Sequence, residues 1–339
     1  MRALAIEEQG RTRIVSLARP TIAPGDVLIQ VRTVGFCGSD LNSFRGLNPL
    51  VAYPRVPGHE IAGSVLAIGD DVPSGTFDVG VDVTVVPYTA CGRCTACRRG
   101  RANACRDNET LGVQREGALT EQIAVPWEKV LRAPGLSPRE LALVEPLSVG
   151  FHAVARGRVE AGDSVMVIGC GAVGLGAIAG AAERGARVIA VDVDDDKLAL
   201  GRAAGASETL NTRSTPLHAR AMQLTGGDGA DVVIEAVGLP ETFVAAVADV
   251  AFAGRVVYIG YAKAPVTFDT AQFVKKELDI RGSRNATAAD FVAVIDMLRR
   301  GSFPTNAAVT RVVSLDEAGA ALGDWSADPA SITRIHVDL

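Results

Sequence analysis

The stretch SVMVIGCGAVGLGAIAGAA, residues 164–182, constrains the fold more than any other part of the chain. It is apolar enough to suggest a bilayer span, but glycine punctuates it as G-x-G-x-x-G at 169–174. A buried strand, a tight turn and a helix fit that punctuation better than a membrane helix does. In this reading Gly169 permits the turn and Gly171 lets a pyrophosphate approach the backbone. Gly174 lets the helix pack close to the strand, and the free N–H groups around Ala172 and Val173 face the phosphates. The motif is informative only between a strand and a helix, and both are predicted here.

Downstream, RVIAVDV, DVVIEAV and RVVYIG are short runs rich in valine and isoleucine, and LDIRGS is a further apolar run. Helical patterns such as DKLALGRAAG separate most of them. Fully apolar strands alternating with helices predict a doubly wound parallel sheet covered on both faces, a Rossmann-type α/β unit. Asp192 ends the second run, where a carboxylate accepts hydrogen bonds from the adenosine ribose. Asp194, Asp195 and Asp196 follow it, a cluster that repels the extra phosphate of NADP, and no arginine follows directly. NAD is therefore the expected cofactor. Val237, Gly260, Ser283 and Arg284 complete the candidate cofactor set.

The first 150 residues have a different texture. DVLIQVRTVGF, IAGSVLAIG and DVGVDVTVVPY are β-branched runs with partial alternation, broken by RPTIAPGD, GDDVPSG and APGLSP. They predict a small irregular barrel with long excursions between strands. A chain of 339 residues exceeds one ordinary core, so two domains are expected. The formal charge of −5 argues against nucleic acid as a partner, since phosphate contacts need a basic surface. No basic, apolar leader opens the chain, which predicts a cytoplasmic location, with no role at a membrane.

Two cysteines, Cys37 and Cys170, stand alone, while CGRCTACRRGRANAC sets Cys91, Cys94, Cys97 and Cys105 in the spacing C-x2-C-x2-C-x7-C. Four thiolates this close can wrap one tetrahedral Zn²⁺ and leave no position for substrate, so the site reads as structural. An iron–sulfur cluster and a disulfide-bonded loop are the rivals. Arg93, Arg98, Arg99, Arg101 and Arg106 flank the ligands; they offset thiolate charge, form a solvated basic face, or do both. His59 and Glu60, in VPGHEIAG, are ambiguous taken alone: a metal-binding pair, or the polar edge of a strand.

GFCGSD at 35–40, PGHE at 57–60, the four-cysteine segment, EPLSVG at 145–150 and GCGAVG at 169–174 occur in the order found in zinc-dependent medium-chain dehydrogenases. The chain resembles that family over essentially its whole length. EPLSVG is similar to the polyol (sorbitol) dehydrogenase branch, and the tail KKELDIRGSRNATAADF resembles a bacterial sugar-acid group. The resemblance implies a GroES-like catalytic domain over 1–147 and 284–339, with a structural-zinc lobe at about 88–108. It implies a Rossmann NAD-binding domain over 148–283. It further implies two Zn²⁺ per chain. The catalytic ion is held by Cys37, His59 and Glu60, with Glu145 as a direct or water-bridged fourth partner, and the four cysteines hold the other. Ser39 is implied to pass the substrate proton toward solvent. Many relatives carry a histidine relay where this chain has Asn42, so that route is absent here. The implied reaction moves hydride from a secondary hydroxyl of a polyol or sugar acid, such as L-galactonate, to NAD. The implied assembly is a homodimer or homotetramer joined through the edge of the nucleotide-binding sheet.

Asn42, Phe44, Arg45, Tyr53, Arg284 and Asn285 are the candidate pocket residues, a polar set suited to a substrate with several hydroxyls. Arg45 or Arg284 could pair with a carboxylate through its planar fork. The plainer reading leaves Arg45 exposed and Arg284 on the cofactor ribose. His152 is expected to pack at an apolar helix start, and His218 and His336 have no ligand companions nearby in sequence. Two alternatives stand beside the main reading. One is the same chemistry on L-threonine or another secondary alcohol. The other is a non-catalytic NAD-binding protein with structural zinc alone. A zinc-free quinone reductase would need none of Cys37, His59 or Glu145.

Overall fold

The computed structural model describes residues 1–329 and 332–339. In chain order its strands are β1 (Arg2–Glu8), β2 (Arg11–Ser16), β3 (Asp26–Phe36), β4 (Glu60–Ile68), β5 (Asp82–Val85), β6 (Gln122–Pro126), β7 (Val130–Arg132), β8 (Ser164–Ile168), β9 (Arg187–Asp192), β10 (Glu208–Asn211), β11 (Ala230–Glu235), β12 (Val250–Tyr258), β13 (Asp279–Gly282), β14 (Arg311–Ser314) and β15 (Ile335–Asp338). The helices that matter below are α1 (Gly38–Phe44), α2 (Thr95–Arg98), α3 (Pro138–Arg156), α4 (Ala172–Glu183), α5 (Asp195–Ala203), α6 (Leu217–Leu224) and α7 (Pro240–Asp249).

Two units emerge. The first comprises residues 1–145, 295–300 and 305–339; the second comprises 146–294 and 301–304. Residues 284–294, assigned to the catalytic part from the resemblance, lie in the second unit. The physical reason is local: Asp290 pairs with His152 of α3 at 2.8 Å, and Phe291 is fully buried.

The first unit is built on a seven-stranded sheet ordered β14-β15-β3-β4-β5-β7, with the β1–β2 hairpin separate from it. Where the sequence predicts a barrel, one long strand organises a bent sheet. β3 pairs antiparallel with β4 along one edge. On its other edge it takes β6 over Asp26–Gln30 and then β15 over Thr33–Phe36. Register shifts at Leu28/Ile29 and Val31/Thr33 bend β3 so that it can serve both. Ile29, Phe36, Ile61, Leu119 and Ile335 form part of its core. The register also sets Gly35 opposite both Glu60 and His336.

The second unit holds the predicted parallel sheet, ordered β10-β9-β8-β11-β12-β13. Met166, Ile189, Val233 and Val256 lie in its core. β10 is not evident in the sequence, because Glu-Thr-Leu-Asn reads as polar; it is an edge strand in which Leu210 alone is buried. Among the described residues, no helix is long and apolar enough to cross a membrane.

Candidate metal centres and dinucleotide site

Cys37 follows β3 and N-caps α1, while His59 and Glu60 lead into β4. Antiparallel pairing of β3 and β4 carries these two ends to the same place. The ligand atoms of Cys37, His59 and Glu60 all lie within 4.8 Å of one another. Asp40, fully buried, pins the arrangement: its carboxylate accepts the Cys37 N–H at 2.8 Å and the Gly58 N–H at 3.2 Å. Asp40 is absent from the residues singled out in the sequence, although an acid three residues after an N-cap is the capping-box spacing.

Glu60 is fully buried, and its Oε2 forms an ion pair with the buried Arg334, just ahead of β15. Gly35, between them in the sheet, makes the meeting possible, since a Cβ there would overlap the Glu60 carboxylate. No local pattern in the sequence announces Arg334 either. Glu60 Oε1, His59 Nδ1 and the Ser39 hydroxyl are buried and lack hydrogen-bond partners. A buried polar atom left so costs about 1–3 kcal/mol. Burial alone would lower the His59 pKa, but Asp40, Cys37 and Glu145 outweigh it and lift His59 well above the ordinary histidine value. The site is short of positive charge, and its thiolate, imidazole and carboxylate suit a zinc that keeps one position open. The residues fit the ion.

Glu145 is buried in α3 and does not join the trio within that distance. Its carboxylate accepts a hydrogen bond from Tyr88, another residue that the sequence alone does not single out. Burial, reinforced by Glu60 and opposed by His59, raises its carboxyl to about 6.

In the lobe, all four cysteines are free thiols, with Cys94 Sγ 3.5 Å from Cys97 Sγ and 3.9 Å from Cys105 Sγ. A tetrahedron with zinc–sulfur bonds of about 2.3 Å has edges of about 3.8 Å. That spacing suits one ion and is far beyond a disulfide bond. The Cys91 N–H points at Cys105 Sγ at 3.3 Å and the Cys94 N–H at Cys91 Sγ at 3.4 Å, as backbone does around thiolates. Backbone N–H groups of Arg106 and Cys97 lower the Cys94 thiol.

In the second unit the glycine motif joins β8 to α4 as expected. Gly169 has φ +100°, and a Cβ on Gly174 would overlap its carbonyl oxygen, so strand and helix meet closely. Gly171 N-caps α4, and a Cβ placed on it would meet nothing within 4 Å, which leaves its face open to a phosphate. Asp192 ends β9 and accepts the Cys170 N–H at 2.7 Å, which ties it to the motif. Val193 and Asp194 also donate to it. The acidic cluster beyond has structural duties: Asp194 caps α5, and Asp195 accepts from Asn211 at 2.7 Å. Val237 follows β11, Gly260 follows β12, and Ser283 and Arg284 follow β13. All four therefore sit at the C-terminal edge of the sheet, where ligands bind in such folds.

Residues 23–135 match the Alcohol dehydrogenase GroES-like domain, and residues 172–300 match the Zinc-binding dehydrogenase family. L-galactonate-5-dehydrogenase of Escherichia coli (strain K12) is 35% identical over 85% of this chain and 84% of that protein. The chain belongs to the zinc-type alcohol dehydrogenases. Sorbitol dehydrogenase of Bacillus subtilis (strain 168) is a further relative of this zinc-type dehydrogenase, 34% identical over 94% of the chain and 91% of that protein. The crystal structure of galactitol-1-phosphate dehydrogenase from Escherichia coli superimposes with a TM-score of 0.93 at 25% identity, covering 100% of each chain.

For this zinc-type dehydrogenase the pocket candidates divide. Arg45 is not a free exposed guanidinium: its Nε donates to Ser326 Oγ at 3.0 Å and its Nη2 to the Ser326 carbonyl. The Tyr53 hydroxyl donates to the Ser43 carbonyl, and Phe44 belongs to the core. Asn42 lies in α1 and is half-buried; Asn285 adopts φ 53°. His152 lies near the end of α3 rather than at a helix start, paired with Asp290, and His218 pairs with Asp249 at 2.5 Å. A cavity of about 500 Å³ lined by His218, Met222, Phe252 and Phe268 includes none of the metal or dinucleotide residues.

Proposed function

We propose that this oxidoreductase takes hydride from a secondary hydroxyl of a polyol or sugar acid, such as L-galactonate, and passes it to NAD. Cys37, His59 and Glu60 would hold a catalytic zinc, with Glu145 reaching it through water, and the four cysteines a structural one. The observation that carries this reading is the convergence of the three ligand side chains, with a buried, unpartnered Ser39 hydroxyl two residues after Cys37. The kinship with L-galactonate-5-dehydrogenase and sorbitol dehydrogenase supports the substrate class. The reading includes a cytoplasmic homodimer or homotetramer, with every proposed metal ligand in the first unit.

A zinc at the trio would act as a Lewis acid that lowers the pKa of a substrate hydroxyl, and NAD would supply the hydride acceptor. The chain's own groups do the rest. Ser39 Oγ, buried with no hydrogen-bond partner, would relay the substrate's hydroxyl proton toward solvent, taking it up as its own proton leaves. Asp40 keeps Cys37 and the His59 segment in register, and Arg334 holds Glu60 in one orientation. The α4 N-terminus and Asp192 orient the dinucleotide through its phosphates and ribose. Asp192 accepts ribose hydroxyls, and its charge disfavours the added phosphate of NADP. Arg45 donates from both Nε and Nη2 to Ser326, so its fork is already engaged within the protein.

Purified protein offered hexitols, hexonates, L-threonine and ethanol, each with NAD or NADP, tests the reading. Reduced dinucleotide should form fastest with a hexitol or hexonate in NAD. Turnover confined to L-threonine or ethanol, or confined to NADP, contradicts it.

A further inference from the structure

At the end of β11, Glu235 is a fully buried carboxylate with an unusual division of labour. Its Oε1 accepts three hydrogen bonds, from the Val237 N–H at 2.9 Å, the Gly238 N–H at 2.7 Å and the Thr242 hydroxyl at 2.7 Å. Its Oε2 is buried and accepts none. A carboxylate that serves only to fold a turn would share its donors between both oxygens, since each lone pair left bare is costly.

The bare oxygen faces a second loop. A Cβ on Gly260, just after β12, would stand 2.5 Å from Oε2, so glycine is needed for the approach. The Glu235 carbonyl accepts the Ile259 N–H at 2.9 Å, and Val237 packs where a Cβ on Gly169 would lie 2.7 Å from its Cγ2. One residue thus ties together the loops after β11 and β12 and, through Val237, the phosphate loop after β8.

Sheet order says which part of a dinucleotide lies above. The order β10-β9-β8-β11-β12-β13 reverses direction after β8, and ligands straddle such a reversal. Asp192 marks the adenosine half on the β9 side, which leaves the nicotinamide half over the ends of β11 and β12. We propose that Glu235 is a positioning residue for that half, and that its carboxylate favours the oxidised, positively charged nicotinamide over the neutral reduced ring. This rests on the dinucleotide reading above. The chemistry is charge complementarity from a carboxylate that is itself buried away from water, where a fixed anion acts more strongly than in solvent.

Glu235→Gln keeps an acceptor oxygen for the loop N–H groups but removes the charge. Calorimetric titration of the zinc-loaded full chain should show NAD⁺ binding weakened about tenfold, as loss of one such charge interaction implies, with NADH within about twofold of the wild type. Glu235→Asp, which keeps the charge on a shorter arm, should keep the ratio of the two dissociation constants near the wild-type ratio even where both rise. A purely structural role would weaken both forms equally in the Gln variant, and that result overturns the proposal. If Glu235→Gln does not fold, Thr242→Val takes its place: losing one donor leaves the carboxylate less neutralised, so NAD⁺ should tighten relative to NADH, and an unchanged ratio overturns the proposal. Wild-type protein that binds neither form instead removes the dinucleotide reading itself.

Discussion

Arg334 shows how one side chain can govern a site without taking part in its chemistry. It is buried against Glu60, and no other cation is paired with that carboxylate among the described residues. Removing one partner of a buried pair costs about 3–5 kcal/mol, because the other charge stays behind. Arg334→Met should therefore lower the urea midpoint of metal-depleted protein by a corresponding amount, and an unchanged midpoint would show that Glu60 finds other relief. His336, two residues on, makes the opposite choice. Fully buried with both ring nitrogens unpartnered, it is pushed down to about 3 by burial and by the nearby Arg334. Between about 3 and the ordinary value of 6.5 the unfolded chain binds a proton there that the folded chain refuses, so stability falls as pH falls through this window. From pH 6.5 to 4.5 that loss is about 2–3 kcal/mol. His336→Leu should remove it, which parallel urea titrations at the two pH values would detect; equal acid sensitivity in both proteins would exonerate the histidine. Arg334 does not stand out in the sequence, and His336 stands out there only as a histidine without ligand companions. Arg334 lies 274 positions from Glu60, and nothing around either residue encodes the other.

At the scale of elements, legibility followed locality. The glycine motif was readable because strand, turn and helix are contiguous, and the four-cysteine spacing was readable because the lobe closes on itself. The Cys37–His59–Glu60 site depends instead on the register of β3 against β4, which the sequence suggests only through order of motifs. Arg45 and Tyr53 show a related limit: a polar side chain does not disclose whether the protein or a ligand will satisfy it, and here Ser326 and the Ser43 carbonyl do so. The lobe yields a prediction of its own. It has short helical turns, α2 and Ala102–Ala104, and exposed arginines at 93, 98, 99, 101 and 106, so little besides its thiolates can order it. Cys105→Ser, or mild chelation, should open the lobe to trypsin at those arginines, with fragments identified by mass spectrometry. Cleavage at the same rate with the ion in place would mean that the cage does not order the lobe.

Across the whole molecule, a β-rich unit holds four clustered cysteines and the Cys37–His59–Glu60 trio, and a parallel-sheet unit holds the glycine motif at the end of β8. Chain length and the change in sequence texture led to the expectation of two units, and the chain does divide into two compact units. Residues 284–294 group with the second unit, where Asp290 pairs with His152, a residue far away in sequence. What the chain must have, if it is an alcohol-oxidising enzyme of this kind, is two different metal sites with one open to substrate. Elemental analysis of wild type and Cys37→Ala, each assayed for NADH formation on the same sample, tests this most directly. The expected result is about two zinc ions per active wild-type chain and about one in the variant, with turnover abolished. About one zinc per chain in fully active wild-type protein, or a Cys37→Ala variant that keeps both its metal and its turnover, would contradict it.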